Sequence, residues 1–472
     1  MEKQSVYSGY YQNPETENMP MDIFAYNPPT DGNVCFDGRA YKGFEDFRTV
    51  EQYQTYKRCG MNVLLAQSWG AYGDEAWEES DAKKVLDACH KAGVQKAVLL
   101  DKKLYALSQA DDGVIGQDKA FASEAELEKF VAQRLQAYSG HPAFYGVELA
   151  SDLAYTQFKA LGQVYKAIKR VYPKTFIHTN LAMMQFTYGE GKEPPYGEEN
   201  DYNQRYEAYV NAFFDATGAD CVGAEMLPYE EGWSEGLYVY YFRQWQILKK
   251  VAKERGAQLQ FTLQAWGQYQ QGKMTHRLPS KQEMWFQLHA AMGFGAKKLA
   301  YKQYWSGADN ALLGAFNPSG WAMMTADGQP TALYEQVQAL NQTAKKLAPV
   351  LANFEHVSET YAALSSFRSK PMHIKYTLRN LLTRAHLVTS QEMAMAYELY
   401  DAKRKQYLYV LQNVTCPLFG AGLPKQTSTI TFDGDYTKVD VFDGNDWHTE
   451  HLTDGAYTVD LDNGDAVYLL PY

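Results

Sequence analysis

Between residues 21 and 351 the chain alternates short apolar runs with longer helical patterns, and the rhythm repeats eight times. A short apolar run bounded by turn signals reads as a strand buried on both faces. Parallel strands need long crossover connections, and those crossovers share one hand, so such a rhythm leaves few folds open. The strand candidates are Met21–Asn27, Asn62–Gln67, Lys96–Asp101, Phe144–Leu149, Thr175–Asn180, Asp220–Glu225, Leu259–Gln264 and Lys298–Tyr304. Between them, Glu124–Tyr138 carries Leu127, Phe130, Val131 and Leu135 at helical spacing. Thr156–Val171 does the same with Phe158, Leu161, Val164, Ile168 and Val171, and Pro173 stops it. Lys281–Phe294 and Ala332–Leu347 complete the helix set. Eight such units predict an α/β fold of the closed (β/α)8 TIM-barrel kind. No GxGxxG follows the first strand, so the open dinucleotide-binding sheet lacks its fingerprint.

After about Glu355 the pattern changes. Strand-like runs such as Tyr407–Gln412, Ser428–Phe432, Lys438–Phe442 and Ala466–Leu470 crowd together. The turn pairs Asp433-Gly434, Asp443-Gly444 and Asn463-Gly464 separate them, as hairpins require. The expected organisation is an N-terminal extension over 1–20, a barrel over 21–355 and an antiparallel β-sandwich over 356–472. No long Pro- or Ser-rich linker intervenes, which predicts direct packing of the two domains.

Composition narrows the partners. The net charge is -11, with Lys and Arg scattered, which argues against nucleic acid and against an anionic membrane surface. No apolar run is long enough to span a bilayer. Met1–Met21 is polar and shows no basic-then-apolar leader, so a cytoplasmic location is expected unless a leader has been removed. The five cysteines, Cys35, Cys59, Cys89, Cys221 and Cys416, are widely spaced without CxxC and read as buried free thiols. The chain holds 37 Tyr, 22 Phe and 9 Trp, and such rings either pack cores or stack on sugars.

Barrel enzymes keep their chemistry at the C-terminal ends of the strands. The residues there include Tyr26, Asn27, Gln67, Trp69, Asp101, Glu148, Asp152, Asn180, Glu225, Gln264, Trp266, Tyr301, Tyr304 and Trp305. Glycosidic cleavage needs one carboxylic acid to protonate the leaving oxygen and a second carboxylate as nucleophile or base. Period-two alternation puts Glu148, Ala150 and Asp152 on one side of the fourth strand, Glu148 deeper and Asp152 at the rim. Glu225 ends the sixth strand. No HExxH, no zinc-spaced Cys/His cluster, no GxSxG and no Walker A loop occurs, so neither metal nor cofactor is expected.

His141-Pro-Ala-Phe-Tyr-Gly146, followed by a carboxylate and a helix, resembles a pattern in bacterial glycoside hydrolase-like barrels related to clan A and to family-42-type β-galactosidases. Arg277-Leu-Pro279 with Glu283, Gln287 and Gly293-Phe-Gly-Ala296 looks like the helix before strand eight in that family, and Tyr301–Trp305 like its Tyr/Trp-rich strand. Asp327-Gly-Gln-Pro-Thr331 with Tyr334 resembles the loop entering the last helix. The resemblance implies a glycoside hydrolase acting on a carbohydrate. Where the family reads Asp-Glu-Pro, this chain has Ser151-Asp152-Leu153. Where it reads Asp-x-Tyr-Pro on strand six, this chain has Glu225-Met-Leu-Pro228. The clan A nucleophile on strand seven has no counterpart, because that strand ends in Thr262-Leu-Gln-Ala-Trp266. The expected catalytic pair is therefore Asp152 as acid and Glu225 as second carboxylate, with Glu148 able to replace either. Gln67, Asp101, Asn180 and Gln264 are expected to hydrogen-bond sugar hydroxyls. Trp266, Tyr301, Tyr304 and Trp305 are expected to form stacking walls. The rival readings are a sugar-binding barrel without chemistry and a structural partner in a polysaccharide-degrading system.

Overall fold

The computed structural model describes residues 5–12, 21–31, 34–36, 39–41, 45–184, 202–229, 236–270, 273–306, 322–362, 382–389, 394–414 and 425–472. All eight expected strands form. They are β1 (Asp22–Ala25), β2 (Val63–Leu65), β3 (Lys96–Leu100), β4 (Phe144–Ser151), β5 (Phe176–Asn180), β6 (Cys221–Ala224), β7 (Gln258–Gln264) and β8 (Lys298–Lys302). They pair in parallel as two four-stranded sheets, ordered β1-β8-β7-β6 and β2-β3-β4-β5. Each gap between the sheets carries a backbone hydrogen bond. Asn62 N donates to Ile23 O at 3.0 Å, and Leu181 N donates to Gly223 O at 2.8 Å.

The helices between the strands begin where their caps say they should. Asp101 caps α1 (Lys102–Ser108), and Ser123 caps α2 (Glu124–Gln136). Further on, α3 (Phe158–Val171) follows β4, and Ser280 with Glu283 forms a reciprocal capping box on α4 (Lys281–Gly293). The last helix, α5 (Ala332–Leu351), runs four residues past the expected end at Leu347. Pro349 lies in its final turn, where it removes one backbone hydrogen bond to the preceding turn.

Side-chain direction inside the strands is the fact that positions the site. Phe24, Tyr26, Val63, Leu65, Val98, Phe176, Cys221 and Ala300 form one buried cluster separate from the large outer core. These residues come from six strands that are spread over both sheets, so the two sheets share this cluster. At the end where the strands begin, Asp22 takes Lys96 and Lys298, each at 2.6 Å, and the Tyr145 hydroxyl at 3.0 Å. Burial alone would raise the Asp22 carboxyl, but Lys298 and Lys96 hold it below the usual range.

The C-terminal strands are antiparallel, as expected. A six-stranded sheet contains Glu355–Ala362, Ala394–Asp401, Gln406–Asn413, Ala466–Pro471, Lys438–Phe442 and Trp447–His451 in that order. A three-stranded sheet contains Ala385–Thr389, Gln426–Phe432 and Ala456–Leu461. Ala396, Tyr409, Leu411, Val441 and Leu469 meet Ile430, Phe432 and Leu461 in one core between them. The alternate residues Met395, Tyr397, Leu399 and Leu408 join the outer core of the α/β part instead. The period-two rule thus gives this sheet two buried faces. Gln412 Nε2 donates to Phe286 O on α4 at 2.9 Å, and His289 Nδ1 lies 2.8 Å from the Tyr468 hydroxyl.

Gly293, at the end of α4, sits where this interface is tightest. A Cβ there would lie 2.4 Å from the Tyr397 ring. Gly293→Ala is expected to lower stability by about 1–3 kcal/mol, the usual cost of overpacking a filled interface. Urea denaturation monitored by tyrosine fluorescence reads the loss, and an unchanged midpoint would show the interface to be looser than drawn.

Of the cysteines, Cys59, Cys89 and Cys221 are buried free thiols. Cys416 and the Cys35 side chain lie outside the described residues. No helix among the described residues is long and apolar enough to cross a membrane.

Candidate active site

Strand parity and register bring five polar side chains from the ends of four strands to the C-terminal side of this cluster. Phe176 on β5 faces inward, so His178 and Asn180 do as well. Glu148 on β4 pairs with His178. On β8, Ala300 faces inward and Lys302 follows two residues later. Glu225 follows the last residue of β6 and reaches Lys302, whose Nζ lies 2.8 and 2.7 Å from its two carboxylate oxygens.

Tyr26 is the centre of this group. Gln260 Nε2 lies 3.5 Å from its hydroxyl, and so does His178 Nε2 on another side. Lys302 Nζ is 5.8 Å from its ring. Burial first, then the charges of Glu225, Glu148 and Asp152, push the Tyr26 hydroxyl well above its ordinary range. All three expected carboxylates therefore act on one phenol. Asp152, with Glu148, also raises Tyr105 after burial does.

The carboxylates differ in their surroundings. Glu148 is 3% exposed, and its Oε2 has no hydrogen-bond partner. Burial pushes its carboxyl up to about 8. His178 Nδ1 stands 3.8 Å from Glu148 Oε1, but burial pushes the imidazole down to about 3. Between those values both groups are neutral, so the contact is not an ion pair. With Gln260 donating to the Tyr26 oxygen, the phenol hydrogen is free to point at His178 Nε2. That tautomer leaves the Nδ1 hydrogen facing Glu148. Glu225 is 5% exposed and is held as half of the Lys302 pair.

Asp152 does not follow the expected alternation. The pairing of β4 with β5 slips between Glu148 and Ala150, so that Ser151, not Ala150, lies opposite Asn180. This bulge inserts a residue and re-aims the chain. Asp152 is solvent-exposed with φ 54, and its N–H donates to Asn180 O at 3.0 Å. Asn27 and Gln67, at the ends of β1 and β2, share the left-handed conformation at φ 53 and 49. Gln67 Oε1 accepts from Asn27 N at 2.7 Å. Strained backbone at three strand ends marks the rim where functional residues concentrate.

Several expected contact residues have other work. Asp101 is fully buried, accepts from Lys103 N and Leu104 N, and pairs with Arg134 at 2.8 Å and the Tyr138 hydroxyl at 3.1 Å. It holds the start of α1. Gln264 accepts from Tyr229 N at 2.9 Å and donates to Trp266 O and Arg277 O at 3.1 Å each, so it ties the loops after β6 and β7 together. The four expected stacking residues make the following contacts. Tyr301 points outward to Asn341 of α5 at 2.8 Å, and Tyr304 packs on Tyr56 with centroids 4.9 Å apart. Trp305 is buried against Phe47 at 4.8 Å. Trp266 faces the His276 ring at 5.0 Å. Asn180 is the expected contact residue that remains available, being fully buried with neither amide atom partnered. Tyr26, His178 and Lys302 were not in the expected site. Their signal is strand parity, which needs an inward reference residue such as Phe176 or Ala300.

Asp101→Ala is expected to cost about 3 kcal/mol or more, because it leaves Arg134 without its buried partner and a helix uncapped. Thermal denaturation measures it, and a loss below about 1 kcal/mol would contradict the capping role.

No family model matches the sequence, and no curated protein matches it. Solved structures do. An Anoxybacillus α-amylase described as a new glycosyl hydrolase subclass superposes with TM-score 0.51 at 12% identity, covering 96% of this chain and 98% of that one. A structure titled glycoside hydrolase gives TM-score 0.51 at 8% identity, over 96% and 92%. Both overlays span the parallel and the antiparallel sheets. The chain shares its overall fold with these glycoside hydrolases.

Proposed function

We propose that the chain is a glycoside hydrolase whose eight parallel strands close as one (β/α)8 barrel over 21–355, with a β-sandwich over 356–472. In this reading Glu148 is the general acid, Glu225 the second carboxylate and Asp152 a rim residue. The observation that carries it is the contrast between two carboxylates beside one phenol. Glu148 is buried without a charged partner and keeps its proton to about pH 8. Glu225 is clamped by Lys302, whose Nζ lies 2.8 and 2.7 Å from its two carboxylate oxygens. Groups whose surroundings split them in this way are suited to acid and base roles.

The leaving oxygen of a glycoside takes the proton from Glu148 as the bond to the anomeric carbon breaks. Glu225 then faces the developing positive charge, either bonding to the carbon or activating water. Lys302 holds Glu225 in place. His178 lies beside Glu148, its Nδ1 3.8 Å from Oε1, with the Tyr26 hydroxyl at its other nitrogen. The family-42 relation implied by the sequence differs here, since the second carboxylate lies after strand six, not on strand seven.

Hydrolysis of a panel of nitrophenyl glycosides and oligosaccharides tests the reading. Turnover by the parent protein that is lost in Glu148→Gln and Glu225→Gln supports it. Turnover retained in both variants removes this pair. Saturable binding of glycans without any turnover would favour the sugar-binding alternative.

A further inference from the structure

We infer that a cavity at the other end of the strands, between the parallel strands and the antiparallel sheet, binds a small organic monoanion: a carboxylate carried on an apolar body. The inference is independent of the carbohydrate reading, since the cavity shares no residue with the group around Tyr26.

The cavity has a volume of about 590 Å³, within the ~300–1,000 Å³ usual for small-molecule sites. Gln258 and Leu259, which line it, begin β7, and Lys297 immediately precedes β8. Ala352, Glu355 and His356 lead from α5 into the antiparallel sheet and line it as well. It therefore lies where the strands begin, the length of a strand from Glu225 and Lys302.

Three lysines converge on that connection. Lys249 and Lys253 stand four residues apart on the helix Gly236–Glu254, so they share a face. Lys253 Nζ donates to His356 O at 2.8 Å, and Lys249 Nζ donates to Glu359 at 3.0 Å. Lys297 Nζ donates to Leu351 O at 2.8 Å and to Phe354 O at 2.7 Å. An ammonium group carries three hydrogens, so each lysine keeps at least one donor beyond these bonds.

The crowding is unfavourable without a further anion. Like charges at this helical spacing repel. Burial pushes the Lys249 ammonium below its ordinary value against the pull of Glu359, and Lys253 adds to the push. Burial lowers Lys297 as well, with Glu355 opposing. His356 is pushed down by burial first, so at neutral pH it adds no charge. Among the described residues the carboxylates facing the three lysines are Glu355, on the cavity wall, and Glu359, beside Lys249. One positive charge is left unmatched. A carboxylate supplies the missing charge, whereas a phosphate dianion exceeds it.

The body of the ligand is set by the other walls. Ala252, Ala257, Leu259, Phe294 and Ala352 are apolar, and Lys249 Nζ stands 5.9 Å from the Phe294 ring. An apolar group beside the carboxylate covers that surface, and a bare inorganic ion leaves it wet.

Calorimetric titration of the full chain at fixed ionic strength tests the inference. The ligands are benzoate, phenylacetate and hexanoate, with benzyl alcohol and inorganic phosphate for comparison. At least one carboxylate is expected to bind saturably and to raise Tm, since it binds the folded chain. Lys253 is exposed, so its replacement leaves the fold in place. Lys253→Gln is expected to weaken binding about tenfold, the loss of one charge-assisted hydrogen bond. Lys253→Arg, which keeps the charge, is expected to bind as the parent does. Benzyl alcohol or phosphate binding as tightly as the carboxylates, binding unchanged in Lys253→Gln, equal loss in Lys253→Arg, or no binding of any carboxylate overturns the inference.

Discussion

Glu148→Gln is expected to lower kcat on any cleaved glycan by about 10²–10⁴-fold, the usual share of general acid catalysis, while binding survives. The amide keeps the shape of the carboxyl and removes the proton. In the parent protein, burial raises the Glu148 carboxyl to about 8, so the acid form dominates below that pH. The kcat/KM profile should therefore fall on an alkaline limb near pH 8, and the variant should lose that limb. Stability follows the same proton. A carboxyl raised in the folded state favours folding fully only below its unfolded value near 4.5, and that contribution disappears as pH rises through about 8. Above that pH the parent carries a buried charge that the glutamine lacks. Glu148→Gln is thus expected to be the more stable protein at pH 9, by on the order of a few kcal/mol, and to lose that advantage near pH 5. Denaturation at both pH values measures the difference. A variant equally destabilised at both would mean that the carboxyl is not held protonated by burial.

The eight strands were legible because each carries a short, largely buried run between turn signals. The same property hid the site. A run such as Lys298-Leu-Ala-Tyr-Lys302 does not declare which face is inward. Reading Tyr301 as a wall of the cleft chose the wrong face, and the side chains on the right face are Ala300 and Lys302. On β4 the alternation was sound up to Glu148 and failed one residue later, because a bulge is a property of pairing and not of composition. Asp152 was preferred over Glu148 on that alternation and on its place in a motif. Burial, which reverses the preference, depends on strands that are distant in sequence. Asp101 and Gln264 look like contact residues in a list of strand ends. Their hydrogen-bonding capacity is consumed by Arg134 and by the Tyr229 and Arg277 backbones, from elsewhere in the chain. The antiparallel part was easier, since its turns are local: Gly444 and Gly464 have positive φ at 96 and 82, as their Asp-Gly and Asn-Gly pairs suggested.

Glu225 and Lys302 form the second place where a single change should have a large effect, and the two partners should fail differently. Glu225→Gln removes the second carboxylate, and kcat is expected to fall by about 10²–10⁴-fold, as for loss of a base or nucleophile. Its stability should change little, because Lys302 is about a quarter exposed and solvent can take its charge. Lys302→Met leaves the opposite remainder, a carboxylate at 7% side-chain exposure with its cation gone. Removing one partner of a buried pair is expected to cost about 3 kcal/mol at neutral pH. The deficit should shrink at low pH, where a proton neutralises an unpaired buried carboxylate. Replacing both residues, as Lys302→Met with Glu225→Leu, should recover most of the stability, since an apolar pair of similar volume removes both desolvation costs. It should recover none of the turnover. Urea denaturation at pH 5 and 8 with kcat on one cleaved glycoside separates these outcomes. If the double variant were active, Glu225 would have no part in the chemistry. If Lys302→Met were as stable as the parent at pH 8, the ion pair would not be what holds Glu225 at the mouth.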